Sequence, residues 1–96
     1  MEGGMPFPRH LVKTWGKELG WKCEVCGRKW VEGWLLEGHH IYPTFAGGAD
    51  IRSNFKLLCI EDHYKAHLKL RERGVDHPAS ANIVKARWIR TGGRWK

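Results

Sequence analysis

The stretch GHHIYPTFAGGADIRSNFKLLCIEDHYKAH, residues 38–67, decides the fold. Two histidines close an apolar run, a long loop with Pro43, Gly47, Gly48, Asp50, Ser53 and Asn54 follows, and FKLLC reads as a strand. The residues after Cys59 are good helix formers with Glu61 and Asp62 at the start, where acidic side chains favour a helix. The order is a β-hairpin with a long tip, then a helix. His63 and His67 are four apart and share one helix face, a spacing that suits two ligands to one metal and that two surface histidines satisfy equally well. His39 and His40 are adjacent, so on a strand they point to opposite faces. His39, on a strand the hairpin returns beside the helix, would complete a three-histidine site with positions left open for water or substrate. His40, facing elsewhere, would be free to act as a base. In the plainer alternative one of the pair is packed and the other faces solvent.

Outward from this core, Leu11, Trp15 and Leu19 recur every four residues with Lys13 and Lys17 between them, which predicts an amphipathic helix over about residues 9–19, closed by Gly20. Pro6 and Pro8 make the start irregular. WKCEVCGRKW, residues 21–30, has the form of a zinc knuckle, with Gly27 supplying the tight turn behind the second thiolate. VEGWLLEGHHIY, residues 31–42, reads as one or two short strands broken at Gly33 and Gly38. The helix carrying His63 and His67 ends at Gly74 with Arg71 and Arg73 near its end. DHPASANIVKARWIR gives a last helix over about residues 78–90 with Pro78 as its first residue, and TGGRWK is a short basic tail. Trp15, Trp21, Trp30 and Trp34 lie in apolar contexts and are expected in the core, as is Trp88.

The chain has 96 residues, enough for one small domain whose modest core a bound metal would reinforce. Lys and Arg number 17 against 10 Asp and Glu, for a formal net charge of +7, which draws a compact protein toward polyanions. Three cysteines cannot all pair, and Cys23-x-x-Cys26 in a reducing setting points to metal more often than to a disulfide. A thiol redox role lacks the βαβ flanks and explains none of the histidines. There is no signal-peptide pattern and no apolar run long enough to span a membrane, so a cytoplasmic protein of a bacterium or a phage-infected host is expected.

The sequence between Cys23 and His67 resembles the HNH endonucleases, through CEVC, EGHHIYP and GGADIRSNFKLLCIEDHYKAH in that order. The resemblance covers about half the chain. It implies an α+β fold, a small ββα-metal core at about residues 21–73 flanked by N- and C-terminal helices and a zinc knuckle, the whole 1–96 forming a single nuclease domain. It also implies metal-dependent hydrolysis of phosphodiester bonds in DNA, expected to be double-stranded, with nicking or cutting of both strands left open. His40 matches the family's general base and Asn54 its middle Asn, which in the histidine-rich branch holds the loop and the base in place. His63 and His67 match metal ligands, and His39 stands where many members have Asp. The set is that of the colicin-type DNases, a three-histidine site.

Imidazoles suit Zn²⁺, Ni²⁺ or Mn²⁺ better than Mg²⁺, so broad divalent use is expected. Many members also hold a structural zinc with paired Cys-x-x-Cys motifs. Cys23, Cys26 and Cys59 fit three of those slots and Asp62 falls on the fourth; buried free thiols are the alternative. Arg52, Arg71, Lys85, Arg87, Arg90 and Arg94 are candidates to grip the DNA backbone, although for any one of them a solvated surface role is commoner. A catalytically inactive treble-clef zinc module that binds DNA would share this frame. The oligomeric state is not legible.

Overall fold

The computed structural model describes residues 6–29 and 36–90. The expectations for Gly33, Trp30, Trp34, Arg94 and the basic tail fall outside these residues. In chain order the elements are helix α1 (Arg9–Glu18), strand β1 (Leu36–His40), 3-10 turns at Thr44–Ala46 and Arg52–Asn54, strand β2 (Phe55–Cys59), helix α2 (Ile60–Glu72) and helix α3 (Ser80–Arg90). This is the α+β arrangement expected, with the hairpin, its long tip and a helix in sequence.

β1 and β2 pair antiparallel with Leu36 opposite Cys59 and His40 opposite Phe55. Side chains alternate across such a pair, and each face has its own cover. On one face Phe55 and Leu57 join Phe7, with Val12, Trp15, Leu19 and Trp21 packed around them. On the other, Leu58 packs with Cys23 and Cys59 against Ala66 of α2. The hairpin is thus held between α1 and α2. A third cluster, Ile60, Val84 and Trp88 with Tyr64, fastens α3 onto α2. Trp15, Trp21 and Trp88 sit in these clusters, as their apolar contexts suggest.

The zinc-knuckle segment turns where glycine permits it: Gly27 has φ 77, its N–H donates to the Cys23 carbonyl at 2.9 Å, and the Cys23 N–H donates to Arg28 at 2.8 Å. Glu24 sews this turn to β2, donating its N–H to the Leu57 carbonyl at 2.8 Å and accepting the Leu57 N–H on its carboxylate at 2.7 Å. Cys59 is both the last residue of β2 and the N-cap of α2. Strand therefore passes into helix with no loop, and the thiol of Cys59 faces the same way as Asp62 in the first turn. The last helix begins at Ser80, with Pro78 in the turn before it. Asp76 starts that turn, accepting the His77 N–H at 2.9 Å and the Ser80 hydroxyl at 3.1 Å.

Candidate active site and metal centres

The alternation of β1 separates its two histidines. Glu37 and His39 face α2, while Gly38 and His40 face Phe7 and α1. His39, His63 and His67 come together, one ring nitrogen from each lying within 4.8 Å of the others. Their Nδ1 and Nε2 atoms are not equivalent. His63 Nδ1 donates to Glu37 Oε1 at 2.7 Å, and His67 Nδ1 donates to Asp76 Oδ2 at 2.6 Å. Carboxylates only accept, so in each ring when neutral the lone pair is on Nε2, and these two inward atoms are 3.0 Å apart. Two facing lone pairs repel unless a cation or a proton lies between them. Beside them His39 Nδ1 is buried with no hydrogen-bond partner. Burial first, then the neighbouring His63, His67, His40 and Lys56, depresses His39 to about 2 and keeps it neutral. Burial likewise lowers His67, with His63 adding to it and Asp76 opposing. Three imidazoles, two of them oriented by carboxylates, form a donor set that fits a divalent metal.

The outer partners come from the far end of the chain. Arg87 of α3 donates from Nε to Glu37 Oε2 at 2.7 Å and from a terminal nitrogen to Oε1 at 2.8 Å, a two-pronged grip. Burial alone would raise the Glu37 carboxyl, but the bonds from His63 and Arg87 outweigh it and hold the group at about 2. Glu37 is therefore an anion fixed between His63 and α3. Asp76, its side chain fully buried, ties His67 to the start of the same helix. Sequence reasoning passed over both carboxylates. Glu37 carried a usable signal, since it precedes His39 by two and shares its strand face; Asp76 carried none beyond standing before a helix.

His40 leans the other way. Its ring stacks on Phe7 with centroids 3.6 Å apart and planes within 6°, and its Nε2 donates to Asp50 Oδ1 at 2.7 Å. The loop that brings Asp50 there is held by Asn54, whose amide nitrogen donates to the carbonyls of Tyr42 at 3.0 Å and Ala49 at 2.9 Å while its oxygen accepts the Tyr42 N–H at 2.7 Å. Gly48 lets the loop close, because a Cβ there would overlap the Tyr42 carbonyl oxygen.

Cys23, Cys26, Cys59 and Asp62 form a second cluster, one donor atom from each lying within 4.8 Å of the others. Asp62 Oδ2 accepts from the thiols of Cys23 at 3.3 Å and Cys59 at 3.2 Å. Burial pushes the Cys59 and Cys26 thiols up, so holding them as thiolates takes a neighbouring positive charge. Three sulfurs and a carboxylate on a knuckle and a helix start fit a tetrahedral zinc, which would supply that charge.

A cleft of about 820 Å³ opens beside the histidines, lined among others by Phe7, His40, His63, His67, Ile83 and Arg9. Arg9, an exposed first residue of α1, was not singled out from the sequence. Of the expected backbone-gripping residues, Arg87 also lines the cleft but is committed to Glu37. Arg52 pairs with Glu18 at 3.3 Å, and Arg71 donates to the Pro78 carbonyl at 3.5 Å. Lys85 lies over the Tyr64 ring at 5.9 Å, and Arg90 is exposed.

Among known proteins, residues 23–69 match the family model described as HNH endonuclease. The chain is 40% identical over 57 residues to an "Uncharacterized 38.5 kDa protein in psbA intron 1" of Chlamydomonas moewusii, covering 59% of this chain and 16% of that protein. It is 46% identical over 37 residues to the "Probable mobile endonuclease B" of Enterobacteria phage T4, covering 38% of this chain and 14% of that one. The chain thus spans less than a fifth of the length of these curated relatives. No solved structure matches it. Among the described residues no helix is long and apolar enough to cross a membrane. The family match covers the knuckle, the hairpin and the first part of α2, and with them both donor clusters: this chain carries an HNH endonuclease domain at residues 23–69.

Proposed function

We propose that this protein is a divalent-metal-dependent endonuclease that hydrolyses phosphodiester bonds in double-stranded DNA, and that residues 1–96 act as one nuclease domain with its core at about 21–73. The observation that carries the reading is the divergence of two adjacent histidines. His39 joins His63 and His67 around a common point, and His40, on the other face of the strand, lines the same cleft as His63 and His67.

His39, His63 and His67 would hold the catalytic ion, Zn²⁺, Ni²⁺ or Mn²⁺ suiting these donors better than Mg²⁺. Bound there, it would act as a Lewis acid on the scissile phosphate and its leaving oxygen. Cys23, Cys26, Cys59 and Asp62 would hold a structural zinc. His40 takes a proton from water, whose oxygen attacks phosphorus in line; the bond to the 3′ oxygen breaks, leaving a 5′-phosphate. Asn54 fixes the loop beside the base. Arg9 in the cleft, with Arg52, Arg71, Lys85 and Arg90 outside it, would meet backbone phosphates without reading sequence; Arg94 is proposed for the same task. A net charge of +7 favours that encounter.

Supercoiled plasmid incubated with the metal-loaded protein tests the reading. Nicking that stops with EDTA and drops by about 10²-fold or more in His40→Ala, with metal content unchanged, is expected. Metal-replete protein that binds the plasmid and never nicks it would make this a zinc DNA-binding module instead.

A further inference from the structure

We propose that Asp50 is a positioning residue for His40: it holds the imidazole as the Nε2–H tautomer and so makes Nδ1 the atom that takes the proton from water. This rests on the reading of His40 as the general base.

Several independent contacts leave His40 one orientation. Its ring is buried and lies flat on Phe7, with centroids 3.6 Å apart, so it is not free to rotate about χ2. Within that plane, Nε2 meets Asp50 Oδ1 at 2.7 Å. A carboxylate has no proton to give, so the proton of this hydrogen bond sits on Nε2, and a neutral imidazole then carries its lone pair on Nδ1. Asp50 is itself placed. Asn54 grips the carbonyl of Ala49, the residue before it, and Gly48 lies against the Tyr42 carbonyl. The nearest cation along the chain does not compete, since Arg52 turns to Glu18. Asn54 therefore acts on His40 through Asp50, which gives the middle Asn of the motif a physical task in this chain.

The chemistry follows. Water gives its proton to Nδ1, the electron pair of that O–H bond stays on oxygen and forms the new bond to phosphorus, and the bond to the 3′ oxygen breaks. The Nε2 proton remains on His40 throughout. The Asp50 carboxylate faces the imidazolium as it forms, lowering the energy of the charged state without accepting the proton.

Two measurements on the zinc-loaded protein test this. In long-range ¹H–¹⁵N spectra, neutral His40 should show a protonated Nε2 and a bare Nδ1; a protonated Nδ1 overturns the proposal. In plasmid nicking, Asp50→Ala should lose about tenfold or more in kcat with KM within about threefold, while Asp50→Asn, whose amide oxygen still accepts from Nε2–H, recovers part of the loss. The double variant with His40→Ala should be no slower than His40→Ala alone, because Asp50 acts only through that ring. An Asp50→Ala protein with parental kcat overturns the proposal. If His40→Ala also cleaves normally, the base assignment itself has failed; if His40→Ala is inactive while Asp50→Ala is not, the role of Asp50 alone has failed. Should Asp50→Ala not fold, the tautomer observed in the parent protein still decides.

Discussion

Glu37, itself on β1, ties two further parts of the molecule to that strand with one side chain: α2 through His63 and α3 through Arg87. Glu37→Gln keeps the shape and loses the charge, so His63 is no longer fixed with Nε2 bare. Removing such an orienting carboxylate costs about 10- to 100-fold in metal affinity, and competition against a chromogenic chelator measures it. At Gly48 the expected damage is of another kind. Alanine there collides with Tyr42, opens the loop that Asn54 holds, and lowers kcat while leaving metal content intact. The clustering of His39, His63 and His67 apart from His40 was legible because the relations are local: His63 and His67 by helix spacing, His39 and His40 by strand alternation. Asp50 was legible only as part of a loop, since its meeting with His40 depends on a turn geometry that no periodicity encodes.

At the scale of elements, α3 does more than cover α2. It buries Val84 and Trp88 on Ile60, and it also delivers Arg87 to Glu37 and anchors its own start on Asp76, the partner of His67. Arg87→Ala leaves a buried carboxylate with His63 as its remaining strong donor, and a loss of about 2–3 kcal/mol in urea unfolding is expected. Trp88→Ala is the packing counterpart, costing about 3–5 kcal/mol with less effect on the metal affinity of the folded protein. Arg9 at the start of α1 lines the cleft. Arg9→Ala should raise KM for plasmid several-fold, flatten its salt dependence and leave kcat near parental. The helices were readable from apolar spacing and glycine stops, whereas the bonds from His67 to Asp76 and from Arg87 to Glu37 link residues 9 and 50 positions apart in sequence with no common period. The irregular reading of Pro6 to Pro8 was local in the same way: it took no account of Phe7, which is buried between Phe55 and His40.

For the whole molecule, the two donor clusters and the ion pair behind them tie stability to metal and to pH. Stripping metal with EDTA should lower Tm markedly, most of it returning with Zn²⁺, since such binding free energy is folding free energy. In the stripped protein, stability should fall as pH drops from about 6.5 toward 2. Unfolded His39 gains a proton near 6.5 and folded His39 only near 2; unfolded Glu37 gains one near 4.5 and folded Glu37 only near 2. In both cases the unfolded state binds protons first, so acid favours it, by about 3 kcal/mol for Glu37 alone. Thermal melts at pH 7 and pH 4 check the direction. Finally, Asp76 and Arg87 lie past residue 69, where the family match stops. Hairpin and metal helix alone are therefore not a cassette that can be grafted onto another scaffold. A chimera cut after residue 74 keeps both donor clusters, yet its His67 loses Asp76 and its Glu37 loses Arg87. Such a graft should take up zinc at the cysteines and fail to retain it at the histidines unless the host supplies an acid and a guanidinium of its own.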